Sequence, residues 1–332
     1  MAQKLEQKPL GRTGKMVPVI ALGCVTFGRE IDEEDSYRVM DYAVEKGLTM
    51  FDTAEAYGGG QSRLTRKQTL GVDDKREKTG EMHSSERIVG RWMRKRGSRD
   101  DITLITKFYT GGGAENVHRA LEASLDRLGT DHVEIYKLHR PYPDVPVDET
   151  LGALAEEVKA GRAGVIGCSQ HSAAQLRDAL DVSAAHGFPR YEIVQPGYNL
   201  ASHDDDQDLL PLCIEEELSV TPFSPMAAGF LTGKYTPDRA DIPEGTRFHI
   251  MPAHADIYFN DRNFRIVERL REKAAELRIP MARLAMAWTM THPAITAVLV
   301  GAREPAHIDN ALAAYEMGLD PELRAEMSAW GD

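Results

Sequence analysis

Short apolar runs alternate with longer stretches of helical period along this chain. Val19-Ile20-Ala21-Leu22-Gly23 reads as a strand. Asp32 then caps a helix that runs to Lys46, with Tyr37, Met40, Val44 and the neighbouring Ala43 at roughly helical spacing and Gly47 as its stop. Gly47-Leu48-Thr49-Met50 leads a second strand straight to Asp52. The alternation repeats as helix Ser85 to Arg96, strand Ile102 to Lys107, helix Ala114 to Leu128, strand Val133 to His139 and helix Val147 to Ala160. It continues as strand Val165 to Ser169, helix Ala173 to His186, strand Ile193 to Tyr198, helix Asp208 to Glu217 and strand Val220 to Phe223. After a long connection come helices Asp261 to Leu277 and Met281 to Thr291, strand Ile295 to Val300 and helix Pro305 to Tyr315, with Pro321 to Trp330 appended.

Eight strand signals separated by helical ones predict an α/β fold with a parallel sheet closed into a (β/α)8 TIM barrel. Lys8-Pro9-Leu10 and Lys15-Met16-Val17, with Gly11 and Gly14 at the turn, read as an N-terminal β-hairpin plugging the amino-terminal end of that barrel. Barrels of 332 residues commonly fold as one unit, and no Pro/Gly/Ser linker divides this one, so a single domain over 1–332 is expected. The segment 59–85 has neither period. It carries Arg63, Arg66, Lys67, Lys75, Arg76 and Lys78 against Asp73, Asp74, Glu77 and Glu81. A loop this long in a compact domain is a solvated excursion, a lid over the barrel mouth or a contact with a neighbouring subunit, the last leaving a homo-oligomer open.

Composition narrows the function. With 52 acidic against 40 basic residues the net charge is −12, which disfavours a general nucleic-acid binder and makes any anionic ligand depend on a local basic cluster. Cys24, Cys168 and Cys213 are too few and too scattered for a disulfide framework or a zinc site, and the reducing cytoplasm is the expected compartment. No signal-like N-terminus and no run of roughly 20 apolar residues point to a membrane. His139, His171 and His203 lack metal-ligand spacing, and Asp204-Asp205-Asp206 reads as a solvated or capping run, so no metal is expected.

The candidate chemistry gathers at strand ends, where a barrel of this kind keeps its active site. Asp52 ends the second strand and Tyr57 lies on the loop that leaves it; Lys107 and His139 end the next two. A phenol is a weak acid, with an ordinary pKa of about 10, and needs a cation and a hydrogen-bond partner before it handles protons at neutral pH. A lysine beside it favours phenolate and an aspartate beside the lysine keeps it charged and oriented, so the four residues form one candidate proton-handling cluster. Singly, Asp52 is equally a loop cap, Tyr57 a rim aromatic, Lys107 a solvated strand end and His139 a satisfied core histidine.

These residues, with further motifs in the same order, carry a resemblance. They are Leu22-Gly23-Cys24-Val25-Thr26-Phe27-Gly28, Asp52-Thr53-Ala54 with Tyr57, Thr106-Lys107, Leu138-His139-Arg140-Pro141, Ile166-Gly167-Cys168-Ser169 and Gln195-Pro196-Gly197-Tyr198-Asn199. Phe223-Ser224-Pro225, the run Gly229 to Tyr235 and Val300-Gly301-Ala302-Arg303 complete the series. Together they resemble the aldo-keto reductases, and around Phe223-Ser224-Pro225 and Gly233-Lys234-Tyr235 also the cytoplasmic β subunits of potassium channels. Segment 59–85 is longer than the family's usual connection.

The resemblance implies reversible hydride transfer between a nicotinamide cofactor and an aldehyde or ketone. Tyr57 and His139 would polarise the carbonyl oxygen, Tyr57 would donate the proton, Lys107 would lower its pKa and Asp52 would hold Lys107. It also implies a cofactor cradle. Ser169 and Gln195 would form the pair that binds the nicotinamide amide, with Gln170 beside them where many members have Asn, and Phe223 would stack on the ring. Ser224, Pro225, Met226, Gly229, Leu231, Lys234 and Arg247 lie toward the pyrophosphate, with Gly23, Cys24 and Val25 on the first loop. Val300, Gly301, Arg303, His307 and Asn310 lie toward the adenosine. Arg303 and His307 make NADP(H) the first choice, while Glu304 and the departures at His307, Asn310 and Ala311 keep NAD(H) open. Phe27, Phe108, Arg140 and Tyr142 are the candidate pocket for a polar carbonyl such as a sugar-derived aldehyde or ketone. A cofactor-sensing accessory subunit with little turnover is the rival reading, and a metal-dependent sugar isomerase on the same barrel a third.

Overall fold

The computed structural model describes residues 5–59 and 78–331. Most of the loop expected at 59–85 therefore lies outside the described residues, although its exit is visible and tied down. Thr79 N–H donates to the Gly28 carbonyl and Glu81 pairs with Arg91.

Two short antiparallel strands, β1 (Gln7–Pro9) and β2 (Met16–Pro18), form the expected hairpin one residue off the expected positions. The barrel follows as β3 (Ile20–Gly23), β4 (Met50–Asp52), β5 (Thr103–Phe108), β6 (Val133–Leu138), β7 (Ala163–Ser169), β8 (Tyr191–Gln195), β9 (Ser219–Val220) and β10 (Val298–Gly301). These eight strands pair in parallel in the order β10-β3-β4-β5-β6-β7-β8-β9. Val220 bridges Ile295 in parallel, and Thr296 and Ala297 both donate to the Val220 carbonyl, so the two ends of the sheet meet. The fold is a (β/α)8 barrel.

Helix α1 (Glu33–Glu45) opens on Asp32, whose side chain accepts from Asp35 N–H as an N-cap. Helices α2 (Ser84–Arg96), α3 (Ala114–Leu128), α4 (Val147–Lys159), α5 (Ala173–His186) and α6 (Leu209–Glu215) follow. The α5 start is a full capping box built from Ser172 and Gln175. The long connection after β9 holds the short helices α7 (Arg247–Ile250) and α8 (Ala253–Tyr258). It is followed by α9 (Asp261–Leu277), α10 (Met281–Met290), α11 (Pro305–Met317) and the appended α12 (Pro321–Ser328).

Two strands are shorter than their apolar patterns predict. β8 stops at Gln195 rather than Tyr198, and β9 at Val220 rather than Phe223. Pro196 and Pro222 stand just past each end, and a residue without an N–H cannot continue a ladder.

Strand alternation sorts the barrel interior into layers. The lower one is apolar: Ala21, Met50, Ile105, Ile135, Ile193, Ala297 and Leu299, stoppered from below by Leu10 and Val17 of the hairpin. Two residues further along the strands the inward positions turn polar, with Asp52, Lys107, Lys137, Gln195 and Thr221 all buried. The register Ile105↔Ile135 and Lys107↔Lys137 puts each pair at one level. Strand β7 leaves no space for a side chain at Gly167, where a Cβ would lie 2.4 Å from the Ile193 carbonyl oxygen.

Candidate active site

The polar layer is organised by Lys107. Its ammonium group, fully buried, donates to Asp52 Oδ1 at 2.5 Å, to the Thr53 carbonyl at 2.8 Å and to the Tyr57 hydroxyl at 3.3 Å. An ammonium has three donors, and here each has an acceptor. The phenol oxygen therefore receives a proton donor from below, which leaves the phenol's own proton free to be directed at the mouth of the barrel. Asp52, buried between Lys107 and Lys137, is held below the ordinary carboxylate range; burial pushes it up, but the two lysines outweigh that. Lys107 is raised: burial works against its charge, while Asp52 and Tyr57 favour it.

Tyr57 departs from the expectation of a phenol made acidic. Burial raises its pKa, Lys107 lowers it, and the net direction is upward. The resting group is the neutral phenol, a proton donor rather than a phenolate.

His139 stands edge-on to Tyr57, their ring centroids 5.6 Å apart, and edge-on to Tyr109 at 5.4 Å. Burial and the neighbouring Lys107 push its pKa down to about 3, so the ring is neutral, and its buried Nδ1 has no hydrogen-bond partner. Arg140 lies over the Tyr109 ring at 4.7 Å and the Tyr142 ring at 5.2 Å, and the Tyr142 hydroxyl donates to the Tyr109 carbonyl. These groups make an aromatic and cationic rim beside His139.

Two residues expected in the pocket are elsewhere. Phe108 follows inward-facing Lys107, so strand alternation turns it outward, where its ring packs 5.0 Å from Tyr136 in the core under the helices. Phe27 is likewise fully buried in that core.

Along the other side of the mouth, Ser169 donates to the Gln195 carbonyl at 2.8 Å, and Gln195 Oε1 accepts from Lys137 at 3.0 Å. Gln170 takes a left-handed backbone, φ 59°, and its side-chain amide donates to the His139 carbonyl. The Phe223 ring is partly buried over the barrel interior and fills the space beside Gly197, where a Cβ would meet it at 2.9 Å. Beyond it three non-glycine residues adopt positive φ, Ser224 at 55°, Ala227 at 49° and Ala228 at 55°, followed by Gly229 at 92°. Conformations of this kind cost of order 1 kcal/mol or more each and gather at ligand-binding loops.

Lys234 flanks Gly229. Burial and Arg303 lower its pKa, and His307 is lowered by burial, Arg303 and Lys234, so two cations and an uncharged imidazole share one neighbourhood. Glu30 answers part of that charge. Its carboxylate pairs with Arg29 at 2.6 Å, with Arg247, and with Arg303 at 3.8 Å. On the first loop, Cys24 N–H donates to the Asp52 carbonyl and the Thr26 hydroxyl to the Ala302 carbonyl, which ties Gly23, Cys24 and half-buried Val25 to the strand end at Val300 and Gly301. Pro225 and Leu231 are buried and Met226 half-buried along the same wall, and Asn310 is half-buried on α11.

A profile of the Aldo/keto reductase family matches residues 19–330. The chain belongs to this family. Among curated aldo/keto reductase relatives, an uncharacterized oxidoreductase of Bacillus subtilis, YrpG, is 29% identical over 96% of this chain and 94% of its own length. A probable voltage-gated potassium channel subunit beta of Oryza sativa is 31% identical over 98% of this chain and 96% of its own. The versiconal hemiacetal acetate reductase of Aspergillus parasiticus is 26% identical, covering 96% and 94%.

Membership of the aldo/keto reductase family implies an oxidoreductase, and the family generally uses nicotinamide cofactors. The residues fit such a group. The mutually repelling cations Lys234 and Arg303, with the uncharged imidazole of His307 beside them, suit phosphate, the left-handed run from Ser224 ends at Gly229 against Lys234, and a buried polar atom without a partner, His139 Nδ1, lies beside Tyr57. Among the described residues no group of three or more His, Cys, Asp or Glu could hold a metal, and no helix is long and apolar enough to cross a membrane.

Sequence reasoning passed over Lys137, Arg29 and Glu30. The signal for Lys137 was present: the inward series of β6 runs Val133, Ile135, Lys137, His139, so a lysine sharing a face with His139 cannot be solvated. No spacing rule singles out Arg29 and Glu30, which acquire meaning only when Arg247 and Arg303 arrive from distant loops.

Proposed function

We propose that the protein is an NADP(H)-dependent carbonyl reductase in which Tyr57 protonates the substrate oxygen. The observation that carries this reading is the Lys107 ammonium, whose donors reach Asp52, Thr53 and the Tyr57 hydroxyl together. The bound nicotinamide supplies the hydride. In reduction of an aldehyde or ketone, Tyr57 donates its hydroxyl proton to the carbonyl oxygen as charge develops there. Lys107 stabilises the phenolate left behind, and Asp52 keeps Lys107 charged and in place. His139, neutral, orients the carbonyl by a hydrogen bond rather than by charge. Ser169 and Gln195 hold the nicotinamide amide, Phe223 backs the ring, and Arg247, Lys234, Arg303 and His307 take the phosphates, which favours NADP(H) over NAD(H). Arg140 with Tyr109 and Tyr142 on the rim suits a polar carbonyl substrate, including sugar-derived aldehydes and ketones.

The test is turnover of an aldehyde panel with NADPH. Tyr57→Phe should lower kcat by about a hundredfold or more while cofactor binding persists. The similarity to potassium-channel β subunits supports a second reading, a cofactor-sensing accessory subunit. Tight NADPH binding with no turnover of any carbonyl by the unaltered protein would favour it.

A further inference from the structure

We propose that Lys137 is a positioning residue that biases this site toward the reduced form of the nicotinamide cofactor, by orienting Gln195 and by setting a second buried positive charge against Asp52. The inference rests on the reading of Gln195 as the partner of the nicotinamide amide.

Lys137 is fully buried on the inward face of β6. Its ammonium donates to Gln195 Oε1 at 3.0 Å and to Thr221 Oγ1 at 3.3 Å, and lies 3.5 Å from Asp52 Oδ2. That carboxylate oxygen makes no hydrogen bond of its own. The first contact fixes the orientation of the Gln195 amide. With Oε1 held toward Lys137, the NH2 is the group turned away from it, a donor suited to the carbonyl oxygen of a carboxamide.

The second consequence is electrostatic. The charged and titratable groups acting on Lys137 are Asp52 on β4, Lys107 on β5 and His139 further along β6, with Cys168 of β7 on the far, helix-side face of the sheet. Burial pushes the Cys168 thiol up, so it is neutral, and His139 is neutral. One carboxylate thus faces two ammonium groups, and the layer carries an excess positive charge. Burial, with Lys107 adding to it, lowers Lys137 to about 8, so the charge is present at neutral pH and fades above it.

An oxidised nicotinamide is a cation and the reduced ring is neutral. In a pocket poor in water, uncompensated positive charge one hydrogen bond below Gln195 raises the free energy of the first relative to the second. The site is thereby tuned to take up NADPH and to release NADP+, the direction a reductase needs. Lys107 cannot explain this bias, because its charge is matched by Asp52.

The experiment is equilibrium binding of NADPH and of NADP+, followed by protein fluorescence, to the wild type, Lys137→Met, Lys137→Gln, Gln195→Leu and the pair Lys137→Met with Gln195→Leu. In the wild type the ratio of the NADP+ to the NADPH dissociation constant should fall as pH rises through about 8, as Lys137 loses its charge. In Lys137→Met the ratio should be lower at pH 7, by about tenfold, and flat across that range. The amide-orienting half predicts that Gln195→Leu alone weakens NADPH and that adding Lys137→Met to it weakens NADPH little further. Equal weakening of both cofactor forms in Lys137→Met, or an unchanged pH dependence of the ratio, would overturn the proposal and leave Lys137 a packing residue. Loss of fold in both Lys137→Met and Lys137→Gln would do the same. If the wild type bound neither cofactor, the functional reading itself would fail, an outcome distinct from these.

Discussion

Tyr57 illustrates how one side chain's chemistry is decided by two opposing terms. Burial raises its pKa and Lys107 lowers it, and because burial wins the group rests as a proton donor. His139 follows the same logic with a different outcome. Its pKa, pushed down to about 3, keeps the imidazole uncharged at neutral pH. A rate profile for carbonyl reduction should therefore show no inflection near 6.5 that disappears in His139→Gln, although that variant should lower kcat/KM by about tenfold or more through the lost hydrogen bond. A histidine-dependent inflection near 6.5 would contradict the neutral assignment.

Elements position these groups, and some of the positioning is strained. The loop leaving β9 runs through Ser224, Ala227, Ala228 and Gly229 at positive φ, and a Cβ at Gly229 would approach Lys234 Nζ to 3.3 Å. Gly229→Ala should weaken NADPH binding, measured by fluorescence titration, and at φ 92° should also cost about 1 kcal/mol of stability. Gly167→Ala acts by packing instead. Its Cβ would meet the Ile193 backbone at 2.4 Å, so the variant should lose stability by roughly 1–3 kcal/mol in denaturant unfolding. The order of strands and helices was legible in the sequence because each amphipathic helix and each apolar run keeps its own period, as α3 and α5 do from first residue to last. The strand ends at Pro196 and Pro222 were less legible, since apolar character continues past the last ladder bond. The tetrad of Asp52, Tyr57, Lys107 and His139 could be read because strand ends converge in a barrel. Phe108 was misplaced because a motif names neighbours without saying which face each one takes.

For the whole molecule the question is how a chain of net charge −12 would hold the proposed anionic cofactor. The proposed cradle is local: Arg247, Arg303, Lys234 and His307 converge from separate loops, with Glu30 pairing Arg29, Arg247 and Arg303. Arg303→Ala should weaken NADPH by about tenfold and NADH far less, and added salt should weaken NADPH more than NADH. Equal losses for the two cofactors would remove the assignment of Arg303 to the 2′-phosphate. The same architecture sets acid stability. Glu30 is drawn down to about 2, burial being outweighed by Arg247 and Arg29, and His139 and His254 are lowered to about 3 and about 4. All three have folded values below their unfolded ones, so each contributes stability that is present above the unfolded value and lost as pH falls toward the folded one. Stability, measured by unfolding followed by circular dichroism, should thus begin to fall below about pH 6.5, from the histidines, and fall more steeply below about pH 4.5, from the carboxylate.

The joint where β9 meets the segment ahead of β10 has a consequence of its own. β9 is two residues long, and the carbonyl of Val220 takes both the Thr296 and the Ala297 amides. A cylinder opens most readily along its thinnest stave, so deuterium should enter at Thr296 and Ala297 well before it reaches the amides of β5 and β6.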